Sequence, residues 1–478
     1  MTCSMPPMPR CVRRSIGLIA VLAATVSIGG SSALAWSNHS LMTWPAVAQM
    51  PEIAGRDVRA EPLAEFLMRE AQPLEAALEA EERWARSQVS SYPARPDNLR
   101  FRRPGAGGGD GDAGIVAAFL QAIRVNRSMP LGLFLQRRPG VAVPPGRLLD
   151  WQAVAIRKNL LDDIDGAFER LDRGQMVAAA DVVATASNEP DFGLDLGLWQ
   201  DNGTPEAALY GFGPQPFGNP AIDYSSQAPF HMGFYHESRI LYAAAPSLSR
   251  CYPEARIHLF LTLARFAFDR GHSYWGWRFA GWAAHYVQDL SQPYHSRALP
   301  GVSVARTLWV SLTDMAGWSD ARRDAIALVT NRHIVLENYQ SRHMAAAFRR
   351  SDWADPLLSA LADVSGDPSL WRLGPSSVRD AVAGPSADAA DALDALLRVS
   401  FPDRYVADPA VVLDDTRSLD LERVAAELPA VRRGVLEAAV ADRLRQLGRD
   451  TRALIRTAVS GDGVPPHEAG VAGVAVKE

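Results

Sequence analysis

A chain of 478 residues, 47% hydrophobic, is long enough for one elaborated domain or two to three ordinary ones around a sizeable core. A net charge of −5 excludes the basic balance of a nucleic-acid polycation. The cations are nearly all arginine, with lysine only at Lys158 and Lys477, a compositional bias that carries no functional reading.

Residues 1–35 have the pattern of a secretory signal. Arg10, Arg13 and Arg14 form a charged start, Ser15 to Gly30 an apolar run, and Ala33-Leu34-Ala35 a cleavage site. The expected product is exported, periplasmic or extracellular, and begins Trp36-Ser37-Asn38-His39. Cys3 and Cys11 leave with the signal and Cys251 remains alone, so an exported protein must fold without an internal disulfide. Metal ions could supply that crosslinking instead.

Residues 62–88 read as a helix rich in Ala, Glu and Leu, and Arg103 to Gly111 as a Gly-rich loop. Helical patterns follow over about 114–125 and 147–173. Segment 187–230 is rich in Gly, Pro and Asn with aromatics; it is too long for a plain connector, and such loops are usually functional. An amphipathic helix over 253–270 puts Ile257, Leu261, Ala264 and Phe268 on one face, ends at Gly271 and leads into a helix over 274–290. Two more helices cover roughly 303–316 and 320–347. From about 350 to 459 the chain is Ala/Asp/Arg/Leu-rich helix with short loops, and 460–478 is a loose tail. No period-2 strand series, repeat or later long apolar span occurs, so the predicted class is all-α without a transmembrane segment in the exported chain.

The 274–290 helix carries the densest signal. Trp275, Phe279, Trp282 and Tyr286 mark its buried face. His285 and Asp289 are four apart, which stacks them on one side of a helix. Pro293 turns the backbone, and His295 is free to point back at the same pocket. Two imidazoles and a carboxylate in this arrangement suit a borderline-soft cation, zinc first. His333 and Glu337 repeat the four-residue spacing. Asp191 stands in Asn188-Glu189-Pro190-Asp191-Phe192, and His231 in an aromatic stretch with His236 and Glu237 as rivals. His258 and His272 fall on core helices and read as structural; His343 and His467 lack partners at ligand spacing.

In order, these residues give a Trp and a His near the new N-terminus, Pro-Asp, a His among aromatics, H-x3-D-x5-H and H-x3-E. The set resembles the bacterial zinc-dependent phospholipase C family, which includes alpha-toxin-type enzymes and shares a superfamily with single-strand nucleases of fungi and plants. The likeness covers about 180 residues in pieces and is densest from Phe260 to Arg297. It implies three zinc ions: one held by Asp191, His231, His285 and Asp289; one by His295, His333 and Glu337; one by the amino nitrogen and carbonyl oxygen of Trp36, with His39 and Asp289 as a bridge. It further implies Asp191 as the base and Phe192 against the substrate head group.

The implied function is a secreted phospholipase C that splits a glycerophospholipid at a membrane surface into diacylglycerol and a phosphorylated head group. The alternative is a single-strand nuclease or nucleotidase using the same metals. No G-x-S-x-G offers a serine nucleophile. The chain departs from the family in its spacing. His39 and Asp191 stand far apart, which makes residues 43–180 largely an insertion within a catalytic domain at 36–350. Residues 351–459 read as a helical extension, not the β-sandwich that alpha-toxin enzymes use for membranes.

Overall fold

The computed structural model describes residues 38–102, 111–162, 164–218, 223–303, 305–307, 309–310, 320–368, 373–374, 377–411, 413 and 418–460. The signal segment, Trp36, the tail with His467 and most of the helix expected over 303–316 lie outside the described residues.

The fold is all-α. Its principal helices are α1 (His39–Val47), α2 (Leu63–Gln88), α3 (Gly111–Ala122), α4 (Ala179–Ala186), α5 (Pro253–Asp269), α6 (Ser273–Leu290), α7 (Asp320–Arg350), α8 (Pro356–Ala362), α9 (Gly384–Ser400) and α10 (Ala430–Ser460). The sequence pattern places α2, α5, α6 and α7 within a few residues of these bounds.

Helix α6 is the central element. Trp275, Phe279, Trp282 and Tyr286 are each fully buried, which stabilises by roughly 1.5–3 kcal/mol per side chain before entropy is charged against it. Gly271, at φ 82, makes the left-handed turn that folds α5 back onto α6. A Cβ on Gly281 would lie 2.5 Å from Ala186 Cβ and 2.7 Å from the Val183 carbonyl oxygen. Glycine therefore lets α4 approach α6 closely, and that approach brings the turn after α4 to His285. Where α6 ends, the Ser291 N–H closes onto Val287 and Gln288, and Pro293 cannot extend the ladder.

The segment expected as an insertion packs on this same core. Phe66, Leu67 and Leu74 of α2 and Phe119 of α3 join the aromatics of α5 and α6. Ala453, Leu454, Ile455 and Ala458 bring the end of α10 into it as well. A second core lies between α7, α8, α9 and the first half of α10.

The expected helix over 147–173 does not form. Residues Trp151–Ala153 and Lys158–Leu161 make short 3-10 turns, and Ala167–Arg170 is a strand antiparallel to Phe134–Arg137. The reason is local and tertiary together. Gly166 sits at φ 147, where a Cβ would meet the Arg137 carbonyl at 2.5 Å, and Phe168 gains an edge-on contact with Phe134 across the pair. A second pair joins Asp57–Arg59 to Met176–Ala178. Both pairs are too short to leave a period-2 trace in the sequence.

Candidate metal centre

Six elements deliver the side chains. His39 opens α1; Asp191 lies in the 3-10 turn Glu189–Phe192; His231 ends the turn Ala228–His231; α6 supplies His285 and Asp289; α7 supplies His333 and Glu337. His295 comes from the turn Pro293–Ser296 that follows α6.

The Asp191 turn is pinned on both sides. Asn188 accepts the Ser40 N–H at 3.2 Å and donates to Gln136 at 2.6 Å. Glu189 takes both carboxylate oxygens to Arg278 Nε at 3.0 Å and accepts from the Trp282 indole. With its neighbours fixed, Asp191 points into the space between His39, His231 and His285.

The eight side chains form one continuous buried cluster. Asp289 lies 3.0 Å from His231 Nδ1, 3.2 Å from His285 Nε2, 3.5 Å from His39 Nε2 and 3.6 Å from His295 Nδ1. Asp191 is 3.7 Å from His39 and 3.8 Å from both His231 and His285. His295 Nε2 meets His333 Nε2 at 3.2 Å, and His333 meets Glu337 at 2.6 Å. Three groups each offer ligand atoms within 4.8 Å of one another and could hold a metal ion: His39, His285 and Asp289; Asp191, His231 and His285; His295, His333 and Glu337.

The tautomers explain why a cation fits. His285 Nδ1 is 2.8 Å from the Ser187 carbonyl, which only accepts, so it donates and Nε2 carries the lone pair. His231 turns Nε2 towards the Asp195 carboxylate at 3.4 Å, which in the neutral ring would leave Nδ1 as a lone pair. The two nitrogens lie 3.0 Å apart beside two carboxylates, so either a proton on His231 or a metal ion must sit there. Neither oxygen of Asp289 nor His39 Nε2 has a hydrogen-bond partner among the described residues. Neutral imidazoles and carboxylates aimed at common points repel unless a proton or a metal sits between them.

Burial first, then the neighbouring His285, holds the His39 pKa well below the usual range; burial lowers His295 to about 4; burial, then His295, puts His333 well below the usual range. These rings are neutral near pH 7, the form that ligates. Burial opposes charge on His231, but Asp289 and Asp195 outweigh it and raise its pKa to about 10. Burial raises Asp191 to about 6. Burial also opposes ionisation of Asp289, yet His285 and His231 outweigh it and push its pKa well below the carboxylate range.

His236, the rival of His231, is exposed and bonds the Arg379 carbonyl at 2.7 Å, away from the cluster. Glu237 receives the Ala298 N–H instead. His258 pairs with Glu81 at 2.7 Å and His272 with Glu61 at 2.9 Å, both as structural contacts. His343, which has no partner at ligand spacing in sequence, pairs with Asp355 at 2.8 Å. Phe192 departs from what the resemblance implies: it is fully buried and packs edge-on against Phe168 with ring centres 5.7 Å apart, so it presents no surface to a head group. The pairing of strand Ala167–Arg170 with Phe134–Arg137, which brings Phe168 there, is the cause.

Sequence reasoning missed the groups behind the cluster. Gln288 Oε1 accepts from His39 Nδ1 at 2.8 Å, and its Nε2 donates to Thr43 and to Thr451 of α10 at 2.8 and 3.1 Å. Its signal was adjacency to Asp289 on the same helix. Thr43 and Thr451 left none, because their role arises only from helix packing. Asp195, four residues past Asp191, is the third such group. Comparison with protein-family models, curated proteins and solved structures finds no match to this chain.

Proposed function

We propose that the cluster is a zinc centre of up to three ions and that the protein is an exported phospholipase C. The observation that carries the reading is the convergence of His39, Asp191, His231, His285, Asp289, His295, His333 and Glu337, with Asp289 oxygens lacking a hydrogen-bond partner among the described residues. Histidine with carboxylate, and no thiolate, is a donor set for zinc. The ordered motifs that resemble the phospholipase family support phosphodiester hydrolysis as the reaction.

The first ion would be held by Asp191, His231, His285 and Asp289, the second by His295, His333 and Glu337. The third would be held by His39 and Asp289 with the amino end of Trp36. Bound zinc supplies a Lewis acid for phosphoryl oxygens and acidifies water near neutral pH. Asp191 would accept the proton of the attacking water: it is the most exposed carboxylate of the three, with 8% of its side chain open. Asp289, its pKa held, despite burial, well below the carboxylate range by His285 and His231, stays ionised and fixes the charge of the site. The surrounding imidazoles, held by Ser187, Gln288 and Asp195, orient without reorganising.

The test is the protein without residues 1–35 presented with phosphatidylcholine, phosphatidylethanolamine and single-stranded DNA, with and without zinc. The proposal expects zinc-dependent release of diacylglycerol. Cleavage of DNA alone would move the assignment to the nuclease branch, and no hydrolysis of any of the three by zinc-loaded protein would contradict both.

A further inference from the structure

We propose that Asp195 is a positioning residue that fixes which nitrogen His231 turns to the cluster, and that Arg256 and Tyr286 hold Asp195 in place for it. The inference rests on the reading of the cluster as a metal centre.

Asp195 is fully buried, and both its oxygens are engaged. Oδ1 accepts from Arg256 at 2.6 Å; Oδ2 accepts from the Tyr286 hydroxyl at 2.7 Å and lies 3.4 Å from His231 Nε2. Arg256 donates further to the carbonyls of Ile123 at 2.9 Å and Arg124 at 2.8 Å. Its guanidinium also lies 4.6 Å from the centre of the Phe230 ring, the residue before His231. A buried arginine with four such contacts cannot swing, so the carboxylate it holds cannot either. The Ile123–Arg124 turn belongs to the segment inserted between His39 and Asp191, so that segment reaches the cluster through Arg256 and Asp195.

His231 Nε2 makes no hydrogen bond of regular geometry among the described residues, and the Asp195 carboxylate is its ion-pair contact. The 3.4 Å separation is longer than a strong charge-assisted bond of about 2.7–2.9 Å, so the contact orients the ring by charge: Nε2–H faces the Asp195 carboxylate and Nδ1 faces Asp289 and the cluster. Three of the other rings rest on neutral acceptors, Ser187 for His285, Gln288 for His39 and the His231 carbonyl for His295. His231 instead has a carboxylate behind it, an arrangement that raises ligand basicity and locks the tautomer.

The experiment compares unaltered protein, Asp195→Asn and Tyr286→Phe, each lacking residues 1–35. Zinc affinity is read by competition with a chromophoric chelator and ligand geometry by the visible spectrum after cobalt(II) loading, at a temperature where circular dichroism shows the metal-free forms folded. Asp195→Asn keeps shape and removes the charge, and should weaken one zinc site about 10–100-fold and alter the cobalt spectrum. Tyr286→Phe leaves the Arg256 pair intact and should weaken the same site roughly severalfold. If Asp195→Asn fails to fold, the Tyr286→Phe result decides: unchanged affinity and spectrum overturn the proposal. Wild-type affinity and spectrum in a folded Asp195→Asn overturn it while leaving the metal centre standing. Unaltered protein that binds no zinc removes the metal centre itself, and the proposal with it.

Discussion

In the scaffold, Arg278 meets Glu189 at 2.7 Å, Arg256 meets Asp195 at 2.6 Å and Arg332 meets Asp394 at 3.1 Å, so each of these buried carboxylates has a guanidinium beside it. Around Asp289, the basic side chains within 4 Å among the described residues are four imidazoles, those of His39, His231, His285 and His295. Both regions are buried to a similar degree, and both would be costly if charge were left unpaired. The scaffold balances its charge locally with permanent cations. The cluster leaves lone pairs and carboxylates facing one another, and balances only if a cation enters or His231 keeps a proton. That contrast separates a structural ion pair from a ligand set more sharply than burial does.

The comparison breaks most completely at Asp289. Asp289→Asn replaces the carboxylate shared by four imidazoles with a poor zinc ligand, and should lose more than one equivalent of zinc by elemental analysis. Phosphodiesterase activity should fall by at least the roughly 100–1,000-fold that removing one preorganised electrostatic contact costs. On the scaffold side, Arg278→Met leaves Glu189 buried and uncompensated, and should cost about 3–5 kcal/mol in denaturant unfolding. Arg278→Met combined with Glu189→Leu should recover most of that loss, because removing both charges leaves nothing to desolvate.

Chelation should lower the melting temperature, and restored zinc should raise it again. Each site at a hundredfold excess over its dissociation constant contributes about 2.7 kcal/mol.

Asp450 gives a smaller, pH-dependent effect. It is fully buried in α10 with one oxygen unpartnered, and burial raises its pKa to about 7 despite Arg449. Folding thus favours its protonated form. That stability is complete below the unfolded value near 3.9 and is lost as pH rises through about 7. Asp450→Asn should therefore be more stable than the unaltered chain at pH 8, by about 1–2 kcal/mol after loss of the Arg449 contact, and lose that advantage at pH 4 in thermal melts. Smallest of all, His236→Ala should change neither zinc content nor activity, and stability by less than about 0.5 kcal/mol, since it removes one exposed contact.

Much of this was legible because helices carry a strong period. The aromatic face of α6 and the i,i+4 pairs His285–Asp289 and His333–Glu337 follow from sequence spacing alone. The all-α class followed from the same periodicity. The 147–173 segment misled because its apolar spacing imitates a helix, while Gly166 and the pairing with Phe134–Arg137 decide its conformation. Phe192 misled because position in a motif says nothing about what packs on a ring. The support behind the cluster was illegible in a different way: Gln288 to Thr451 and Arg256 to Ile123 each join residues more than a hundred positions apart, and no local pattern encodes such contacts.

The central claim is that the unbalanced cluster is completed by metal and not by a proton on His231. The most direct measurement is elemental analysis of the protein lacking residues 1–35, after zinc loading and exhaustive dialysis, paired with anomalous X-ray scattering at the zinc edge. The account predicts at least two zinc ions per chain, with anomalous peaks among Asp191, His231, His285 and Asp289 and among His295, His333 and Glu337. Folded protein with less than one zinc, and no anomalous peak at Asp289, would contradict it.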